Sequence, residues 1–131
     1  MTAHGQQRIW IILDHPMQLA IALAIASHWG GKGYTCNLLI SPHAYWSRVD
    51  INLYRDKFYK IFFMERPDYT WHPVRIIRNI FQILRLKRMI ARLNIGRNDV
   101  IVGLSIFHYL ENIVLSMYPE NLKIAIMPEA V

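Results

Sequence analysis

Five short apolar runs alternate along this chain with segments of helical character. Each run is apolar over most of its length rather than at every second position, which is typical of strands buried on both faces of a parallel sheet. Helices must then cover both faces of that sheet. The runs are RIWIILD, YTCNLLIS, KIFFME, DVIVGLS and LKIAIMPEA, which begin at Arg8, Tyr34, Lys60, Asp99 and Leu122.

The segments between these runs supply the helices. The first begins at Pro16 and stops at the glycines of residues 30–33, a weak one spans 44–57, a long one spans 72–96 between Pro73 and Gly96, and the last spans 106–118. Right-handed crossovers then predict an α/β fold with a Rossmann-like, doubly wound parallel sheet of about five strands in the order 3-2-1-4-5. We expect residues 1–131 to form one domain, and the end of the chain directly after the last strand suggests the N-terminal half of a larger two-domain protein.

The composition excludes several classes of protein. Hydrophobic residues make up 53% of the 131 residues and charged residues 18%, which excludes an intrinsically disordered chain. One cysteine, Cys36, excludes an internal disulfide, and its place inside a strand predicts a buried, inert thiol. No apolar run reaches the roughly 18 residues of a membrane span, and the N-terminus lacks a signal peptide, so we expect a cytoplasmic protein.

The joint between the first strand and its helix, LDHPMQ, is the first candidate site. Ligands of open α/β sheets bind at the carboxyl ends of strands, and Asp14 and His15 lie at that end. His15 has the chemistry of a general base, and Asp14 that of a substrate contact. The alternative is that Asp14 caps the helix and His15 is a solvated loop residue. No glycine fingerprint or phosphate-binding loop follows the strand, so no dinucleotide or other cofactor is expected.

Two further stretches lie at the same predicted edge. In the loop SPHAYWSRVD, the candidates for binding a sugar or phosphate are His43, Trp46 and Arg48. The preferred interpretation is that this aromatic loop packs against the protein. Ser105 ends the fourth strand and is a candidate substrate contact. Farther on, His108 and Glu111 are three residues apart on a helix and are expected to form a surface pair, since a metal site would need more ligands.

The pattern resembles the opening half of GT-B-fold glycosyltransferases. The similar segments are IILDHPMQLAIALAIASHWGGKGYTCNLLIS, RLNIGRNDVIVGLSIFHYLENIV and ENLKIAIMPEAV, with a distant likeness to bacterial sialyltransferases. The resemblance implies the acceptor-binding N-terminal domain of a cell-envelope or capsule polysaccharide enzyme, inactive alone. A C-terminal domain would hold most of the nucleotide-sugar donor, and the acceptor would be a glycan or a lipid-linked sugar. By the same resemblance, His15 or Glu129 would be the catalytic base.

A non-catalytic α/β module that binds an anionic small molecule or a partner protein is the alternative. The formal charge of +6 and the isoelectric point near 9.7 favour an anionic partner for either function.

The long helix carries much of that charge. At 100° per residue, Arg75, Arg78, Arg85 and Arg92 gather on one side. Isoleucines 76, 77, 80 and 83 with Leu84 and Ala91 gather on another, which is expected to pack on the sheet. The arginine side is interpreted first as a solvated face, second as a docking surface for anionic lipid on the inner side of a membrane, and third as a nucleic-acid site. No nucleic-acid-binding motif is present, so we expect no nucleic-acid partner.

Overall fold

The computed structural model describes residues 7–41, 51–64, 73–104 and 109–126, and for 73–76 and 109 it describes the backbone alone. Five strands form one parallel sheet in the order β3-β2-β1-β4-β5, which confirms the predicted topology. The strands are β1 (Arg8–Leu13), β2 (Thr35–Ile40), β3 (Lys60–Phe63), β4 (Val100–Gly103) and β5 (Leu122–Ala125).

Within the described residues, three α-helices and two 3-10 helices lie between the strands. They are a 3-10 turn (Pro16–Gln18) that leads into α1 (Leu19–Gly30), a second 3-10 helix (Ile51–Lys57), α2 (Pro73–Ala91) and α3 (Tyr109–Met117). The weak helix expected over 44–57 is therefore a 3-10 helix in its described part, and 42–50 lie outside the described residues.

The end of α2 also differs from expectation. The helix ends at Ala91, five residues before the glycine that was expected to stop it. Asn94 has a φ of +56°, and it makes the left-handed turn that a glycine commonly makes at a helix end. Asparagine tolerates this conformation better than most residues do, so the chain leaves the helix before it reaches Gly96.

The core lies on both faces of the sheet because successive side chains of a strand point to opposite sides. Ile9 and Ile11 of β1 join the core on the α1 side. Trp10 and Ile12 join the other core, where they pack with α2 and α3. This double burial explains why the strands have no alternating pattern.

The inward face of α2 is not the face expected from the sequence. Leu86 and Ile90 are fully buried against the sheet, whereas Ile77, Ile80 and Leu84 are exposed, as is Ala91. Of the expected inward set, Ile83 is half-buried, and the side chain of Ile76 lies outside the described residues. Two sides of α2 are apolar. The side that packs against the sheet is the one whose apolar residues continue into the C-terminal half of the helix, at Leu86 and Ile90.

A buried polar network joins the amino ends of β1 and β4. The Asp99 carboxylate accepts hydrogen bonds from the Trp10 indole at 2.9 Å and from the Gly96 N–H at 2.8 Å. The Arg8 guanidinium lies 2.9 Å from the same carboxylate oxygen. Since each buried polar group has a partner, this end of the sheet is a structural junction.

Candidate functional site

The joint after β1 is held together by Gln18. Its side-chain oxygen accepts hydrogen bonds from the N–H groups of Asp14, at 2.9 Å, and of His15, at 3.3 Å. Its side-chain nitrogen donates to the Leu104 carbonyl at 3.1 Å, which ties the joint to the end of β4. Gln18 thus fixes the carboxyl ends of two neighbouring strands, β1 and β4, to each other.

The imidazole of His15 closes the turn. Its Nδ1 accepts a hydrogen bond from the Met17 N–H at 3.1 Å, and with Gln18 it forms a capping box. An accepting nitrogen carries no proton, so the neutral ring holds its proton on Nε2. The residue that caps this turn is therefore His15, whereas the alternative interpretation assigned the cap to Asp14. The role of His15 as a base stays a prediction.

Glu111 is a buried carboxylate that was expected on the surface. It lies in the first turn of α3, and its Oε1 accepts the Leu104 N–H at 3.0 Å. A Cβ at Gly103 would come within 2.8 Å of Glu111 Oε2, so the carboxylate packs closely against this glycine and would have to shift for a larger residue. The sequence signal was an acid in the first helical turn after a strand that ends in glycine, a position where the helix dipole favours negative charge.

Several predicted site residues lie outside the described residues. They are His43, Trp46, Arg48, Ser105, His108 and Glu129, together with the side chain of Arg75. Their roles stay predictions. Of the predicted site residues, Asp14 and His15 are therefore the two that the described structure brings together at this edge. Gln18 and Glu111 lie at the same edge, and the sequence did not identify them as site residues.

The outward side of α2 presents a second candidate site. Ile77, Ile80, Phe81 and Leu84 are 58%, 53%, 66% and 46% exposed. Their spacing of three and four residues places them in one row along the helix, which we call the outer stripe. Four large apolar side chains in one exposed row are a feature of binding surfaces, because soluble proteins rarely leave such patches in water.

Arginines border the outer stripe. Arg78, Arg85 and Arg92 are seven residues apart, so they form a second row on one flank, and all three are exposed. Lys87 and Arg88 are exposed as well. The 19 residues of α2 contain no Asp or Glu. The helix therefore places an exposed apolar row beside a row of arginines, and its own sequence has no acidic residue.

The described residues were also compared with three other kinds of feature: a reactive thiol, a metal site and a membrane-spanning helix. Burial raises the pKa of the Cys36 thiol, which agrees with the predicted inert cysteine. Among the described residues, no three His, Cys, Asp or Glu side chains come together in a way that could hold a metal ion. In the same part of the chain, no helix is both long and apolar enough to cross a membrane.

Comparison with known proteins gives one informative match. No protein-family model matches the sequence, and no curated protein matches it. Among solved structures, the fold is similar to the C-terminal domain of the PF1911 hydrogenase from Pyrococcus furiosus, with a TM-score of 0.51 and 13% sequence identity. The match covers 93% of this chain and 91% of that one. At this identity the match supports the doubly wound α/β fold alone.

The glycosyltransferase prediction is wrong on these comparisons. The matching structure is a hydrogenase domain, and no glycosyltransferase family or curated protein matches the chain. The expectations that followed from it, including a nucleotide-sugar donor and polysaccharide biosynthesis, lose their support. The patterns that suggested them are strand–helix joints, which unrelated proteins with doubly wound sheets share.

Proposed function

We propose that this chain is a peripheral membrane-binding domain that docks on anionic lipid at the cytoplasmic side through the outer surface of α2. The observation that carries the proposal is the outer stripe, with its flanking arginine row and no acidic residue in the helix. Helices that lie in the plane of a membrane interface combine a basic polar face with Phe, Leu and similar side chains on the other face.

The geometry suits shallow insertion. Phe81 and Leu84 point away from the sheet core and can enter the headgroup region without any change of fold. The long aliphatic stems of Arg78 and Arg92 can lie along apolar surface while their guanidinium groups stay at the phosphates. Each arginine near an anionic surface contributes about 1 kcal/mol, and full burial of a Phe or Leu side chain contributes roughly 1.5–3 kcal/mol.

Charge argues against a second copy of this chain as the partner. Two such helices packed face to face would bring their arginine rows together without an acid in either helix. Hydrogenase activity is not proposed, because the likeness to the PF1911 domain is at 13% identity and supports the fold alone.

Vesicle sedimentation tests the proposal. The chain should pellet with vesicles of phosphatidylcholine and phosphatidylserine in equal parts and stay in solution with phosphatidylcholine alone. Raising the salt from about 0.1 M to about 1 M shortens the screening length from roughly 10 Å to roughly 3 Å, and it should release the protein. Equal pelleting with both vesicle types would overturn the proposal.

A charge-matched pair of variants completes the test. The double variant Arg78→Gln with Arg92→Gln should lose about 2 kcal/mol of binding free energy, or about 30-fold in affinity. The double variant Lys32→Gln with Lys57→Gln removes the same charge on the α1 side of the sheet and should bind like the unaltered chain. Equal losses in both would show that net charge, rather than α2, drives binding.

A further inference from the structure

The outer stripe occupies only the first half of α2, between Ile77 and Leu84. Two turns farther along a helix, seven residues on, a side chain returns to nearly the same side, so the stripe would continue through positions 87, 88 and 91. Those positions hold Lys87, Arg88 and Ala91, and all three are exposed. The outward surface of α2 therefore changes from apolar to cationic after Leu84.

The two halves of α2 therefore prefer different depths in a membrane. The exposed positions of the first half hold four large apolar side chains and one cation, and those of the second half hold four cations and one alanine: Ile77, Arg78, Ile80, Phe81 and Leu84, then Arg85, Lys87, Arg88, Ala91 and Arg92. An apolar side chain gains free energy as it moves below the head groups. A guanidinium or ammonium group loses free energy there and stays near the phosphates.

The fold determines which edge of the sheet lies beside each half of α2. In the chain, α2 comes between the carboxyl end of β3 and the amino end of β4, so it runs antiparallel to the strands. A contact at its far end shows this direction. Arg8, the first residue of β1, donates a hydrogen bond to the carbonyl of Asn94, which follows the helix. The apolar half therefore lies nearer the carboxyl edge of the sheet, and the cationic half lies nearer the amino edge.

We propose that the domain docks on anionic lipid in a tilted orientation, with the N-terminal half of α2 deeper in the interface and the C-terminal half at the level of the phosphates. This inference rests on the proposed membrane function and adds the orientation of the domain to it. Arg78, at the flank of the deeper half, reaches the phosphates with its long side chain. The carboxyl edge, with Asp14 and His15, then turns toward the bilayer. The amino edge, with the exposed Arg97–Glu120 pair, turns toward water.

Nitroxide labels at three positions on the same side of α2 measure the tilt. The single variants Ile77→Cys, Leu84→Cys and Ala91→Cys introduce exposed cysteines at intervals of seven residues, and Cys36 is buried. Power saturation of the electron paramagnetic resonance signal, with oxygen and a nickel chelate, gives the depth of each label in vesicles of phosphatidylcholine and phosphatidylserine in equal parts. The label at residue 77 should be deepest and that at 91 shallowest. A difference of about 5 Å over the roughly 21 Å between them corresponds to a tilt of about 15°.

The outcomes separate the tilt from membrane docking itself. Equal depths at residues 77 and 91, or the reverse order, would overturn the tilted orientation and leave docking through α2 intact. Labels that stay in water at all three positions would overturn docking, and the tilt with it. A label introduced by Leu53→Cys, at an exposed leucine on the α1 side, is the control and should stay in water.

A matched pair of variants tests the cause of the tilt. Arg88→Leu extends the outer stripe by one position into the cationic half, so the label at residue 91 should move deeper and the difference from residue 77 should shrink. Arg97→Leu makes the same change at an exposed arginine outside α2 and should leave both depths unchanged. An unchanged depth at residue 91 in Arg88→Leu, with a native circular dichroism spectrum, would contradict the role of the cationic half.

Discussion

The two apolar sides of α2 consist of the same residue types in opposite surroundings. Leu86 and Ile90, with their half-buried neighbours Ile83 and Met89, form an inner stripe that packs against the sheet. The outer stripe has the same spacing and faces away from the core. The comparison shows that helical periodicity alone does not identify the buried side. The inner stripe should determine folding, and the outer stripe should determine binding.

The largest expected effect is on folding. Leu86→Ala should lower the free energy of unfolding by about 2–5 kcal/mol, because it removes buried methyl groups and leaves a cavity. Leu84→Ala makes the same change two residues away on the outer side and should cost about 0.5 kcal/mol or less. Urea denaturation of both variants measures the difference. Equal losses would show that the two stripes are not distinct.

The next effect is on binding. Phe81→Gln should reduce affinity for vesicles that contain phosphatidylserine about 10-fold to 100-fold, because the ring no longer enters the interface. Its free energy of unfolding should stay within about 0.5 kcal/mol, since the ring is mostly exposed. Leu53→Gln, at an exposed leucine on the α1 side, is the control and should bind normally. Normal vesicle binding by Phe81→Gln would remove the outer stripe from the interface.

The smallest effect concerns a single charge. Arg92→Gln should weaken vesicle binding by about 1 kcal/mol, or about fivefold, and should flatten the dependence of affinity on salt. Arg97→Gln removes one positive charge elsewhere and should leave both quantities unchanged. Equal changes in the two variants would assign binding to the overall charge of +6 rather than to the arginine row.

The fold could be predicted because its signals are local. Apolar runs, Pro16 and Pro73 at helix starts, and the handedness of parallel crossovers together determine the sheet order that the structure shows. The inward face of α2 could not be predicted in the same way. Ile77 and Ile80 have as much apolar character as Leu86 and Ile90, and the choice depends on contacts with distant strands and with α3.

The site was less predictable than the fold. Glu111 was expected on the surface. Its burial beside Gly103 could not be predicted, because it depends on a close approach between α3 and β4. The capping bond of His15 depends on a turn geometry that residue type alone does not determine. The glycosyltransferase function was inferred from strand and helix patterns that mark the fold, and a fold carries many unrelated functions.

A single fluorescent label on α2 tests the central claim most directly. Because Cys36 is buried and burial raises its pKa, a maleimide fluorophore should react selectively with a cysteine introduced by Leu84→Cys or, as the control, by Leu53→Cys. On addition of phosphatidylserine vesicles, the label at residue 84 should shift its emission to the blue and be quenched by lipids labelled in the acyl chain. The label at residue 53 should show neither change. Equal responses at the two positions, or none at residue 84, would contradict membrane docking through α2.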